Sequence, residues 1–437
     1  MPQSPSLKRD IGLFGATLMG LGSILGTGAF ISVGIAAGIT GPSVILATAL
    51  AALVATCNAL SSAQLAAAHP VSGGAYEYGY RLLTPAAGFT AGWMFLCAKT
   101  ASAATAALGF AGYALALFGH NDQMTRVIVA LVTIAVLTAI TVGGMRRSNK
   151  ANTVVVGITI AALLVFILGL LPAAWQNGAD NLRPFFLPFE GEGHHPAAAF
   201  LQATALMFVA FTGYGRIATL GEEVHDPTRT IPRAIIITLL VSATLYVGLA
   251  LASVTAAGIP FLNSATNEQA APLELVAREF ALPNVWRVVS LGAITAMLGV
   301  LLNLILGLSR VLFAMARRGD APVFLARISQ GASVPHAAIW VIGLAIAGLA
   351  LLGDIKTTWS FSAFTVLVYY AINNLAALRL PAEARLYSQG WAWGGLASCL
   401  FLAFWVEPAI WASGLGLIAL GLIVHRLRSP HRATPSE

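Results

Sequence analysis

Twelve apolar runs, each close to the length of about 20 residues that a helix needs to cross a hydrocarbon core, leave this chain little else to fold from. They fall near residues 12–36, 42–66, 86–118, 123–143, 153–175, 197–219, 233–258, 287–312, 336–353, 358–379, 390–406 and 408–425. Only Val406-Glu407-Pro408 parts the last two, whose combined length is enough for two crossings. Composition agrees, with 58% of residues hydrophobic and 9% charged, against about 25% charged in an ordinary soluble domain. The expected fold class is all-α, a polytopic membrane protein with 12 transmembrane helices.

Loop charges set the expected topology. With the N-terminus in the cytoplasm, seventeen lysines and arginines fall in inside segments, among them Lys8, Arg9, Arg146, Arg147, Arg317 and Arg318. Outside segments hold five: Arg126, Arg183, Arg278, Arg287 and Lys356. That is the asymmetry of the positive-inside rule. An eleven-span arrangement would strand Arg426, Arg428 and Arg432 on the outside. Both termini are therefore expected in the cytoplasm, in a cell (inner) membrane. The net charge of +7 then reads as topology and contact with anionic lipid headgroups, not as nucleic-acid binding.

Other chemistries find little support. Cys57, Cys97 and Cys399 sit in apolar runs without metal or redox spacing and read as small buried hydrophobes. The N-terminus lacks a cleavable signal pattern. No Walker loop, dinucleotide fingerprint or HExxH motif occurs, so no cofactor, metal or ATP is expected. No span offers a nucleophile–base pair or paired carboxylates facing a pocket, which argues against an enzyme.

Two of the runs are interrupted by glycine where a membrane helix should run straight. The first reads Leu18-Met-Gly-Leu-Gly-Ser-Ile-Leu-Gly-Thr-Gly-Ala-Phe30 and the second Phe208-Val-Ala-Phe-Thr-Gly-Tyr-Gly-Arg216. Each interior glycine costs a helix roughly 1 kcal/mol against alanine, so Gly20, Gly22, Gly26 and Gly28 together invite unwinding. The alternative is close helix packing, since Gly22 and Gly26 have small-xxx-small spacing. Unwound backbone in lipid is tolerated only where it is buried in protein or lines a cavity. A pair of such segments at matching places in two halves points to a transporter's binding site.

The motifs in order resemble those of amino acid–polyamine–organocation superfamily permeases. Gly22-Ser-Ile-Leu-Gly-Thr-Gly-Ala-Phe30 is similar to that family's unwound first span. Ala63-Gln-Leu-Ala-Ala-Ala-His-Pro-Val-Ser-Gly-Gly-Ala-Tyr76 resembles its loop signature after span 2. Ala210-Phe-Thr-Gly-Tyr214 with Gly221-Glu-Glu-Val-His-Asp-Pro-Thr-Arg-Thr-Ile-Pro-Arg-Ala-Ile235 resembles span 6 and its exit. Leu308-Ser-Arg-Val-Leu-Phe-Ala-Met-Ala-Arg-Arg-Gly-Asp-Ala-Pro322 resembles the end of span 8. The resemblance implies a 5+5 inverted repeat, about 12–175 and 197–379, with discontinuous helices 1 and 6. Helices 11 and 12, about 390–425, stand outside it, and 426–437 is a cytoplasmic tail. Spans 1, 2, 6 and 7 would rock against 3, 4, 8 and 9.

An unwound helix offers amides at one broken end, which favour a carboxylate, and carbonyls at the other, which accept from an ammonium. By resemblance the carboxylate goes to Gly26, Thr27 and Gly28, and the ammonium to the carbonyls of Ile24, Val209 and Thr212 beside Gly213. Phe208, Phe211 and Tyr214 become gate or wall residues. The family's frequent acid after the span 6 glycine is absent, since Gly215 and Arg216 follow Tyr214, and Gln64 replaces another. A small or apolar neutral amino acid is therefore expected. The alternatives are a polyamine or organic-amine carrier, or a non-transporting sensor on the same scaffold. Thr159 stands where some proton-coupled relatives place a lysine, and Lys99 in span 3 is the candidate for that role. Its bland counterpart is a lysine satisfied by carbonyls or snorkelling to the interface. Arg216 is expected to pair with Glu222 or Glu223 as a gate or anchor. Pro227 and Pro232 are expected to end helices.

Overall fold

The computed structural model describes residues 11–70, 73–120, 122–143, 149–186, 195–218, 224–268, 270–328 and 334–428. Among them nine helices are long and apolar enough to cross a membrane. One of these, Gly28–Ala68, turns at Gly41–Ser43, where Gly41 has φ 69°. It therefore holds the second half of span 1 and all of span 2, Val44–Ala68. The shorter apolar helices Leu13–Ile24, His336–Ala350 and Gln389–Ala403 supply the first half of span 1, span 9 and span 11. The rest are Pro85–Ala116, Gln123–Val142, Asn149–Gly169, Pro196–Ala218, the helix from Pro227, Val285–Arg318, Ile355–Leu378 and Pro408–Arg428. The chain is an all-α multi-pass membrane protein, and its described helices supply each of the twelve expected spans.

Two expectations at span ends are corrected. Span 5 stops at Gly169 rather than near 175, and a separate helix, Leu171–Asn181, opens with Pro172 in its first turn. Pro227 and Pro232 do not end a helix. Pro227 opens span 7 at a first-turn position whose N–H has no partner within the helix anyway, and Pro232 follows inside. Span 7 kinks at Gly258, which has φ 72°.

Polar side chains fix the span ends. Asp122 accepts from the Thr125 amide at 2.7 Å to cap span 4, and Asp354 accepts from the Thr357 amide at 2.9 Å to cap span 10. These bonds satisfy amides that the first helical turn leaves without partners. At one end of the bundle the short helix Ala75–Leu82 meets the exit of span 8. Tyr76 and Tyr80 donate to one oxygen of Asp320 at 2.7 and 2.6 Å, and Arg318 pairs with Glu77 at 2.7 Å. His425 of span 12 stands 3.3 Å from the other Asp320 oxygen and stacks on Phe89. Burial first, and the Asp320 carboxylate next, push the Tyr76 phenol well above its ordinary value.

Candidate functional site

Span 1 leaves helical geometry after Ile24, where Leu25 takes ψ 89°. It resumes as a wide turn over Gly28–Ser32 and continues as Val33–Thr40. Span 6 runs as Pro196–Phe211, tightens over Thr212–Tyr214 and restarts at Gly215. Both breaks expected from the glycines are present, and they face each other. A Cβ built on Gly213 would lie 2.3 Å from the Ser23 carbonyl oxygen, and one on Gly28 would lie 2.9 Å from the Ala210 Cα. Only glycine lets the two backbones approach this closely.

The broken ends hold their carbonyls toward donors from other spans. Tyr246 of span 7 donates to the Ile24 carbonyl at 2.7 Å and lies 3.5 Å from that of Ala210, so one hydroxyl bridges both breaks. Tyr370 of span 10 donates to the Thr212 carbonyl at 3.2 Å. The Thr212 hydroxyl donates to the Val209 carbonyl at 2.7 Å. A carbonyl has two lone pairs; that of Val209 also accepts from the Thr212 amide and is filled, so the room for a further donor lies at Ile24. Thr27 is buried, and its hydroxyl has no hydrogen-bond partner among the described residues. Gly26 and Gly28 flank it at the start of the second half-helix, where amides have no partner within the helix.

Lys99 reaches this place. Its ammonium donates to the Thr212 hydroxyl at 2.8 Å, and the side chain is half-buried in span 3. Span 3 is held against span 10 by Ser102 with Ser362 at 2.8 Å and by Thr105 with Thr358 at 2.9 Å. These bonds fix where Lys99 arrives. The alternative of a lysine snorkelling to the interface is disfavoured by this inward hydrogen bond. No Asp or Glu lies within any of spans 1–10 to neutralise it. Thr159 of span 5 only returns a bond to the Val155 carbonyl.

Phe208, Phe211 and Tyr214 are fully buried. Phe208 and Tyr214 pack on Tyr370 at 5.6 and 5.5 Å between ring centroids, and Phe211 packs on Tyr246 at 5.1 Å. Arg216 is half-buried in the helix after the span 6 break. Its expected partners Glu222 and Glu223 lie outside the described residues. The sequence reading missed Tyr246 and Tyr370. A signal was present, because a tyrosine in the middle of an apolar span needs a partner for its hydroxyl.

The family model described as amino acid permease matches residues 15–425. An uncharacterized transporter of Mycobacterium tuberculosis is 39% identical over 97% of this chain and 92% of its own length. A branched-chain amino acid permease of Bacillus subtilis is 30% identical over 77% of this chain and 73% of its own. A methylthioribose transporter of the same organism is 28% identical over 98% of this chain and 95% of its own.

Proposed function

The chain belongs to the amino acid permease family, and on that premise we propose that it carries a neutral, small or apolar α-amino acid by alternating access, coupled to protons or in exchange. The observation that carries this reading is the meeting of two broken helices that present opposite polarities to one place. The unpartnered Thr27 hydroxyl and the half-helix start at Gly26–Gly28 suit a carboxylate. The carbonyls of Ile24 and Thr212 suit an ammonium, while that of Val209, expected to share the role, is filled by the Thr212 hydroxyl and amide. The Lys99 ammonium on Thr212 and the lack of acids in spans 1–10 disfavour a cationic side chain. Phe208, Phe211 and Tyr214 form the apolar wall, and Lys99 and Arg216 are the residues proposed for coupling and gating. The charge asymmetry of the loops supports cytoplasmic termini. Ile35 and the first residues of spans 4 and 10 then lie toward the outside.

A second reading comes from the methylthioribose transporter, aligned over nearly the whole chain. Hydroxyls and carbonyls also suit a neutral polyol. A thermal-shift panel on purified protein, covering neutral, acidic and cationic amino acids, polyamines and methylthioribose, separates these. Counterflow of the best ligand in proteoliposomes follows. The first reading expects neutral amino acids to raise the midpoint most and to exchange. Stabilisation only by cationic amino acids or polyamines overturns it, and binding without counterflow makes the protein a sensor.

A further inference from the structure

Of the five cations that the topology places outside, two line one cavity. It measures about 260 Å³ and lies between the starts of spans 4 and 10, the end of span 7 and the second half of span 1. Arg126 of span 4 and Lys356 of span 10 line it, with Asp354, Asn267 and Ile35 among the other residues. Ile35 sits seven residues beyond Gly28, or about 10 Å along the helix. The cavity therefore opens beside the same broken helix that forms the central site.

Carboxylates share this wall with its cations: Asp354 lines the cavity, and Asp122 precedes Arg126 by one turn at the start of span 4. Asp354 is committed to the cap of span 10: it accepts from the Lys356 amide at 3.1 Å, from the Thr357 amide at 2.9 Å and from the Thr357 hydroxyl. Arg126 is 6% exposed. It donates from Nη1 to the Glu268 carbonyl at 3.1 Å, while Nε is buried with no hydrogen-bond partner among the described residues. A buried guanidinium with an unused N–H calls for an acceptor, and its planar fork fits a carboxylate best.

We propose that this cavity is an outer docking site in which Arg126 holds the carboxylate of an amino acid on its way to the broken helices. The anion site stands on the cavity and Arg126. The choice of an amino acid as the source of the carboxylate rests on the proposed function. Arg126 thereby becomes a residue that sets affinity from the outside without touching the central site.

The test places a reporter in the cavity of the full chain. Asn267, exposed on its rim, is changed to cysteine in proteoliposomes. Its labelling from outside is timed with an anionic methanethiosulfonate (sulfonatoethyl) and a cationic one (trimethylammonioethyl). Protein without Asn267→Cys sets the background from Cys57, Cys97 and Cys399. Adding Arg126→Gln should lower the ratio of anionic to cationic rates at least fivefold, whereas Arg126→Lys should keep it within twofold. An unchanged ratio in Arg126→Gln, in protein with the parent's thermal midpoint, overturns the anion site. L-leucine should slow the anionic reagent at least threefold, L-leucinamide should not, and Arg126→Gln should abolish the protection. Equal protection by sodium acetate or chloride overturns the amino acid as occupant. No step of the labelling requires transport, so a failure of counterflow leaves this result readable on its own.

Discussion

Replacing Gly213 with alanine tests whether the two breaks must touch. The added methyl would lie 2.3 Å from the Ser23 carbonyl oxygen, 2.5 Å from its carbon and 2.6 Å from the Ile24 Cγ1. Backbone atoms cannot step aside as the end of a flexible side chain does, so the span 6 break must retreat by close to an ångström. Overpacking of this kind costs about 1–3 kcal/mol. If that cost falls on the arrangement that binds ligand, the apparent affinity drops roughly 5- to 150-fold at 1.4 kcal/mol per factor of ten. Gly157→Ala in span 5 is the control, because a Cβ there meets nothing within 4 Å. It should keep affinity and gain up to about 1 kcal/mol in helix propensity. Counterflow of the best ligand from the screen gives KM for both variants, and the thermal midpoint gives their stability. Gly213→Ala with parental KM and midpoint would refute the claim that the breaks form one close-packed site.

Lys99→Met should remove the pH dependence of counterflow while leaving the protein folded by thermal shift, and a pH profile that survives the change sinks the coupling role. Asp320→Asn keeps one acceptor of the buried carboxylate that serves Tyr76, Tyr80 and His425. It should destabilise the chain by about 1–3 kcal/mol, read as a lower midpoint; an unchanged midpoint contradicts a structural tie between spans 8 and 12. The Thr125 hydroxyl first, and its amide second, hold the Asp122 carboxyl below its ordinary range. A depressed carboxylate stabilises fully above the unfolded value of about 3.9 and loses that contribution as pH falls through the lower folded value. Asp122→Ala should therefore speed hydrogen exchange at the start of span 4 at neutral pH and leave it unchanged in strong acid.

Sequence made the spans legible because lipid permits few alternatives: an apolar run of sufficient length must satisfy its backbone within itself. The same rule exposed the breaks, since glycines such as Gly26, Gly28 and Gly213 are anomalous only against that background. Span ends were less legible. Pro172 and Pro227 each open a helix whose N-cap makes no side-chain bond, so no capping residue marks them as starts in the sequence. Lys99 stood out, with Arg216, as a cation inside a span, but its contact with Thr212 joins spans separated by more than a hundred residues. No period or spacing encodes that distance. Arg126 was visible only as one of five outside charges, and its burial depends on how the ends of spans 4 and 7 converge.

The tyrosines explain why broken helices are tolerable here. Unwinding frees the Ile24 and Thr212 carbonyls, and a buried carbonyl without a donor is costly. Tyr246 and Tyr370 supply those donors from outside the broken spans. Tyr246 leaves the second lone pair of the Ile24 carbonyl open. A hydroxyl here therefore orients the acceptor without closing it, whereas another helical amide would draw it back into the regular ladder. Because these contacts are to backbone, they define what is common to possible ligands and say nothing of a side chain. On the proposed function, discrimination between side chains would fall to Phe208, Phe211 and Tyr214, whose rings pack against the same two tyrosines. Any substrate bulk that moves those rings also moves Tyr246 or Tyr370, and with them the carbonyls. On that reading, selectivity and the geometry of the proposed head-group site would be mechanically joined.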